Sequence, residues 1–373
     1  MKIIADENII FVKEAFSGLG DVNLYNGREI TNTILKDADV LLVRSITKVD
    51  AALLDGTHVK FVGTATIGTD HIDTEYLAAK NICFTDSRGC NSDAVAEYVF
   101  NALLNISNEQ KFSLRGMTIG VVGVGNIGSR IVRMAGALGM NVLQNDPPLK
   151  RLTGKKQFLE LNELMNADII TFHVPLNMEG EDRTYHLFDY EKINFLKDGA
   201  IIINASRGPV IENNSLNDLI GKKKFNVVLD VWENEPEINL ELLKKVRFGT
   251  PHIAGYSFEG KINGTEILYN ALCSFLKKET AWKPSIPAAK DPEIRIDGNS
   301  ALENELFKAV DHVYKISKDD KNLRNMLKSD NSSKFFDYLR KTYDLRREFP
   351  NYFVNIDPYC KDMAKVFKQF RFN

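Results

Sequence analysis

Cysteine is scarce in this chain. Cys83, Cys90, Cys273 and Cys360 stand far apart with no CxxC pair, which excludes a zinc site built on such pairs and gives no disulfide framework. Reduced thiols and no metal are the expectation. Charge of one sign is lacking too: the net charge is −2 and no lysine-rich tract occurs, so nothing draws in nucleic acid. No apolar run approaches the roughly 20 residues that span a bilayer, which argues against a membrane partner. The opening Met1-Lys-Ile-Ile-Ala-Asp-Glu7 meets acid too early for a signal peptide and reads as a first strand. Repeats of fixed period and low-complexity segments are absent. A soluble, cytoplasmic protein is expected, and 373 residues are too many for one ordinary core, so two or three domains are expected.

What is present is alternation. Lys2 to Ala5, Val40 to Val43, Phe61 to Ala65 and Ile82 to Thr85 read as strands, with helical spacing between them at Ile9 to Leu19 and Thr74 to Lys80. A longer helix is expected from Asp93 to Gln110. Alternation then resumes with strands at Thr118 to Val122, Asn141 to Asn145, Asp168 to His173, Ala200 to Asn204, Asn226 to Val231 and near Arg247 to Gly249. Runs such as Ala200-Ile-Ile-Ile suit strands buried on both faces. This pattern predicts an α/β fold of two doubly wound parallel-sheet, Rossmann-like lobes. Gly260 to Lys278 reads as a long helix returning the chain to the first lobe, making that lobe discontinuous. The expected division is a substrate-binding lobe of residues 1–92 and 256–284 and a dinucleotide-binding domain of residues 93–255.

Lys283 to Pro292 carries three prolines without periodicity and reads as a linker. Beyond it, helices are expected over Ala301 to Lys318, Asn331 to Arg347 and Pro358 to Phe370, with a strand over Tyr352 to Ile356. Residues 285–373 therefore form a small α+β unit, too small for another nucleotide site, and dimerisation is its simplest role. A regulatory, effector-binding role is the alternative.

The Thr118 to Val122 strand runs into Gly123-Val-Gly125-Asn126-Ile127-Gly128 and then a helical stretch. Gly123 permits a tight turn, Gly125 lets backbone approach a pyrophosphate, and Gly128 lets the helix pack closely on the strand. The helix start turns its unpaired N–H groups, including those of Asn126 and Ile127, toward phosphate. Asp146 ends the next strand, where a carboxylate accepts hydrogen bonds from the adenosine ribose. A carboxylate there favours NAD, since the 2′-phosphate of NADP would meet a like charge.

Three polar residues follow strands of the second lobe: Arg207, Glu235 and His252. Ligands in such folds bind outside the carboxyl ends of strands. A guanidinium can hold a carboxylate with two parallel hydrogen bonds, an imidazole can take a hydroxyl proton, and an acid can orient that imidazole. Together these are the parts for oxidising a 2-hydroxy acid. Singly, each has a plainer reading, as a surface ion pair or a turn residue. Glu233 stands two residues before Glu235, so spacing alone does not separate them.

The chain resembles the D-isomer-specific 2-hydroxyacid dehydrogenases. The general motifs are Ala65-Thr-Ile-Gly-Thr-Asp-His-Ile-Asp73, the glycine fingerprint, Asn204-Ala-Ser-Arg-Gly208 and Pro251-His-Ile-Ala-Gly255. A narrower match within the family rests on Asp6-Glu-Asn8, Val43-Arg-Ser45, Gly89-Cys-Asn91, Asp146-Pro-Pro148 and Leu339 to Glu348, and carries the resemblance through the C-terminal unit. The resemblance implies an NAD-dependent homodimer acting on a small phosphorylated 2-hydroxy acid. It makes His252 the acid–base residue, Glu235 its partner and Arg207 the carboxylate anchor. It places Ser45, Thr66 and Tyr256 on the substrate, and Asp146, Asp230 and Gly255 on NAD, with a backbone contact at Val174, where relatives often carry threonine. A phosphate needs positive charge: Arg44 is the first candidate, Lys48 a weaker one, and Arg346-Arg347 would serve if they reach the partner's site. Alternatives are a phosphoglycerate or glycerate dehydrogenase, or an NAD-sensing binding protein without catalysis.

Overall fold

The computed structural model describes residues 1–296, 298–357 and 360–373. Its α-carbon contacts divide the chain into two compact units, residues 1–91 with 257–287 and residues 92–256 with 288–373.

The first unit holds five parallel strands, β1 (Lys2–Asp6), β2 (Asp21–Tyr25), β3 (Val40–Val43), β4 (Phe61–Thr64) and β5 (Cys83–Asp86), in the order β2-β1-β3-β4-β5. β3 and β4 are buried throughout, because helices cover both faces of a parallel sheet. β2 escaped the sequence pattern: Asp-Val-Asn-Leu-Tyr is a half-exposed edge strand with no continuous apolar run. The helix Phe258–Phe275 is capped by Ser257, whose hydroxyl oxygen accepts from the Gly260 N–H at 2.9 Å. It lies over the carboxyl ends of this sheet: Ser87 donates to the Gly264 carbonyl, Asn263 to the Cys90 carbonyl and Thr265 to the Ile10 carbonyl.

The second unit holds a six-stranded parallel sheet of β6 (Thr118–Val122), β7 (Asn141–Asn145), β8 (Ile169–Phe172), β9 (Ile201–Asn204), β10 (Asn226–Leu229) and β11 (Phe248–Gly249), ordered β11-β10-β9-β8-β6-β7. The order reverses beside β6, the topological switch point where such sheets bind dinucleotides. The helix Ser92–Gln110 is buried along most of its length, packed on one side by Asn126–Ala137 and on another by Leu302–Val313. The expected α/β class with two Rossmann-like parallel sheets and a small C-terminal α+β element is what the chain adopts.

Within that C-terminal element, β12 (Glu293–Ile296) pairs parallel with β13 (Phe353–Ile356). The single helix expected over Ala301 to Lys318 is instead two, Leu302–Val313 and Ile316–Arg324. Tyr314 breaks it by turning extended, which buries its ring and lets its carbonyl accept from Asn101 Nδ2 at 2.5 Å. The last helix is Lys361–Gln369; its expected first residues, Pro358 and Tyr359, lie outside the described residues.

Candidate active site

The glycine turn after β6 has the geometry that a dinucleotide needs. Gly123 sits at φ 85°, and a side chain there would strike the His173 carbonyl at 2.5 Å. Gly128 is pressed against the turn, with only 2.0 Å between an added Cβ and the Gly123 oxygen. Beside Gly125, by contrast, a Cβ would meet nothing within 4 Å, so the helix start opens outward there. That helix, Asn126–Ala137, presents the N–H groups of Asn126 and Ile127 at its first turn. Val174 lines the turn through its Cγ1.

Asp146 ties this turn to the next element. Its Oδ2 accepts from the Val124 N–H at 2.8 Å, and its Oδ1 caps the helix Pro147–Thr153 through the Leu149 N–H at 2.9 Å. The carboxylate is thus fixed beside the phosphate-facing turn, with lone pairs remaining for ribose hydroxyls. The residues present fit a dinucleotide. His173, just after β8, is withdrawn from solvent: burial pushes its imidazole down to about 3, and its Nε2 pairs with the Thr171 hydroxyl at 2.9 Å.

Arg207 follows β9 and precedes the short helix Gly208–Val210, its carbonyl accepting from Asn204 Nδ2 at 2.9 Å. Gly208 is obligatory, since a Cβ there would lie 1.9 Å from the Trp232 carbonyl oxygen. This backbone contact sets the Arg207 turn directly against the turn that carries Glu235. Glu235 Oε1 accepts from the Trp232 N–H at 2.8 Å, and its Oε2 lies 2.7 Å from His252 Nδ1. Burial alone would raise the Glu235 carboxyl, but the His252 imidazole, the Trp232 N–H and the Arg340 charge together hold it below the usual carboxylate value.

The loop carrying His252 is organised by Asp230, which follows β10. Its Oδ1 accepts from the Thr250 hydroxyl and the Ile253 N–H, both at 2.7 Å, and its Oδ2 accepts from the Ala254 N–H at 2.9 Å. The Asp230 carbonyl takes the His252 N–H at 2.8 Å, and His252 itself is held at φ 57°. With Nδ1 engaged by Glu235, Nε2 is the nitrogen left for proton transfer, and a third of the side chain is exposed. Gly255 and Tyr256 close the same loop.

The competing acid is accounted for. Glu233 Oε1 lies 2.5 Å from His186 Nε2 and its Oε2 accepts from the Asn213 N–H at 2.8 Å. The structure therefore separates two histidine–glutamate pairs that spacing left ambiguous.

Two residues that the sequence reading did not single out belong here, one within each unit. Arg340, on the helix Ser332–Lys341, brings its Nη2 within 3.3 Å of the Tyr256 hydroxyl. Only its place in the narrower motif Leu339 to Glu348 signalled it. Arg346, a candidate only if it reached a partner's site, is buried in its own unit: it donates to the carbonyls of Ala94, Ile253, Ala254 and Tyr256 and covers the Tyr314 ring. It clamps the His252 loop to the helix that carries Ala94. Arg347 donates to Asn351 Oδ1 at 2.6 Å.

In the first unit, Arg44 and Ser45 follow β3, and Thr66 follows β4, with its hydroxyl on the Gly68 carbonyl at 3.1 Å. Lys48 is exposed and pairs with Asp50 at 2.9 Å. Lys261, on the helix Phe258–Phe275, is the other missed residue: burial and then the Arg44 charge push its ammonium down to about 8. Two cations therefore share the carboxyl-end edge of the first sheet.

Comparison with known proteins agrees with this geometry. The profile of the D-isomer specific 2-hydroxyacid dehydrogenase NAD binding domain matches residues 91–254, and a domain of unknown function matches residues 285–369. Erythronate-4-phosphate dehydrogenase of Proteus mirabilis is 45% identical over 96% of this chain and 95% of its own length. The protein of that name from Escherichia coli O7:K1 is 46% identical over 96% of this chain and 94% of its own. Among solved structures, D-lactate dehydrogenase of Aquifex aeolicus with NAD and lactic acid superposes with a TM-score of 0.61 at 27% identity, over 74% of this chain and 96% of that one. NAD-bound 3-phosphoglycerate dehydrogenase of Entamoeba histolytica gives 0.63 at 26%, over 74% and 95%. No described helix is long and apolar enough to cross a membrane. The chain belongs to the D-isomer-specific 2-hydroxyacid dehydrogenase family, as an NAD-dependent enzyme related to the erythronate-4-phosphate dehydrogenases.

Proposed function

We propose that this enzyme oxidises 4-phospho-D-erythronate at C2 to 2-oxo-3-hydroxy-4-phosphobutanoate, a step toward pyridoxal phosphate. The single observation that carries the chemistry is the 2.7 Å bond between Glu235 Oε2 and His252 Nδ1. It fixes one imidazole nitrogen as the oriented side and leaves Nε2 to accept the C2 hydroxyl proton. NAD, when bound, supplies the acceptor for the hydride that leaves C2. Arg207 holds the substrate carboxylate, and Glu235 stabilises the imidazolium that forms. His252 then passes its proton to solvent, so one hydride and one proton leave the substrate for each turnover.

Gly123, Gly125, Asn126, Ile127 and Gly128 take the pyrophosphate, Asp146 takes the ribose, and Val174, Asp230 and Gly255 complete the cofactor site. Ser45, Thr66 and Tyr256 contact the substrate, with Arg44 on its phosphate. Residues 1–92 with 256–284 serve as the substrate-binding lobe, residues 93–255 as the NAD-binding domain, and residues 285–373 as the dimerisation domain of a cytoplasmic homodimer. Similarity at 45% over nearly the full length supports this substrate over others of the family.

The test is an NADH absorbance assay over a panel of phosphorylated and unphosphorylated hydroxy acids. kcat/KM should be highest for 4-phospho-D-erythronate. A higher value for 3-phosphoglycerate or glycerate removes this reading. Light scattering after size exclusion tests the dimer.

A further inference from the structure

The half-buried guanidinium of Arg340 has no account in the reaction so far. It comes from the C-terminal segment, yet its Nη2 lies 3.3 Å from the Tyr256 hydroxyl and its guanidinium carbon 5.9 Å from the centre of the Tyr256 ring. Its Nε–H is buried with no acceptor among the described residues. A cation partly withdrawn from water and only partly hydrogen-bonded is costly unless opposite charge lies close. That charge is the acid–base site: Glu235 and Asp230 both act on Arg340, and Arg340 in turn helps to hold Glu235 ionised.

The groups packed around the His252 loop come from several elements. Glu235 faces its Nδ1 from the turn after β10, and Asp230 lies beneath its loop. Tyr256 follows four residues later, with Tyr343 packed edge-on against its ring at 5.9 Å. Arg346 grips the loop carbonyls and Arg340 stands by Tyr256. Without a cation near them, the carboxylates would favour the imidazolium, which is the wrong form for accepting a proton.

We propose that the C-terminal domain completes the acid–base site through Arg340, a positioning residue that orients the Tyr256 hydroxyl and balances the charge of the Glu235–His252 pair. This proposal rests on the dehydrogenase reading above and assigns a role in that reaction to a segment that matches a domain of unknown function.

The experiment compares R340M, R340Q and R340K in the full-length protein. Two readouts are taken: the pH profile of kcat/KM for oxidation, and the proton NMR titration of the His252 imidazole, identified by its loss in H252N. R340M should move both midpoints upward by roughly one pH unit, as expected for one unit charge lost at close range. R340Q, which keeps a donor for Tyr256, should move them as far, and folding of either variant suffices. R340K keeps the charge and should stay within a few tenths of a unit. A wild-type midpoint in R340M or R340Q overturns the proposal, as does an R340K shift as large as theirs. The NMR titration needs no turnover, so a failed assay on the phosphorylated acid would remove the substrate reading and leave this test standing.

Discussion

Glu233 and Glu235 are two residues apart and serve different histidines: Glu235 lies 2.7 Å from His252 Nδ1, and Glu233 lies 2.5 Å from His186 Nε2. Asn234 between them sits at φ 60°, a left-handed turn that separates the two carboxylates.

This separation makes a contrast that kinetics can read. Glu235→Gln should cut kcat by about a hundredfold or more, because the amide no longer stabilises the imidazolium. Glu233→Gln should leave kcat within a few fold and act on thermal stability instead. The sign with pH also follows. Glu235 is held below its ordinary value, so its contribution to stability is present above the unfolded-state value and is lost as pH falls through the folded one. The wild type should therefore lose stability on acidification more steeply than Glu235→Gln, which acid-titrated thermal melts would show or refute.

Arg207→Ala should lower kcat/KM by more than roughly a hundredfold, the effect of losing a bidentate anchor in the transition state. NAD affinity, measured by fluorescence titration, should stay near normal. A loss confined to NAD affinity would place the guanidinium on the cofactor instead.

Gly208→Ala should destabilise the protein by about 2 kcal/mol or more, since the added methyl meets the Trp232 carbonyl oxygen at 1.9 Å and backbone has to move. Because that contact also sets the Arg207 turn against the Glu235 turn, kcat should fall with it. A variant with unchanged melting temperature would show that the turns are held apart in solution.

Lys261 gives a pH dependence of its own. Burial and the Arg44 charge hold its ammonium near 8, so it is charged below that pH and neutral above it. KM for the phosphorylated acid should rise as pH passes through 8, relative to an unphosphorylated analogue. Lys261→Met should abolish that differential rise, and Arg44→Ala should raise KM mainly for the phosphorylated acid. Equal effects on both acids would take these cations off the phosphate.

Local signals carried much of the site into the sequence. The glycine turn was legible because two of its three glycines are forced by backbone, through the His173 carbonyl at Gly123 and the Gly123 oxygen at Gly128. Asp146 was legible because it stands at a strand end before Pro147, where a short acid caps the next helix. β2 was missed since an edge strand needs no apolar run, and the break at Tyr314 was missed because it depends on Asn101, more than two hundred residues away.

The sequence by itself determined the alternation of strands and helices, the glycine turn and the set of polar residues placed after strands, since these depend on contacts within a few residues. Which acid meets which histidine, that Arg346 closes on the His252 loop, and that Arg340 stands beside Tyr256 were decided only by tertiary structure. Those pairings join residues 17 to 93 positions apart. They form because burying a charge is tolerable only where the fold delivers its counter-charge or acceptor.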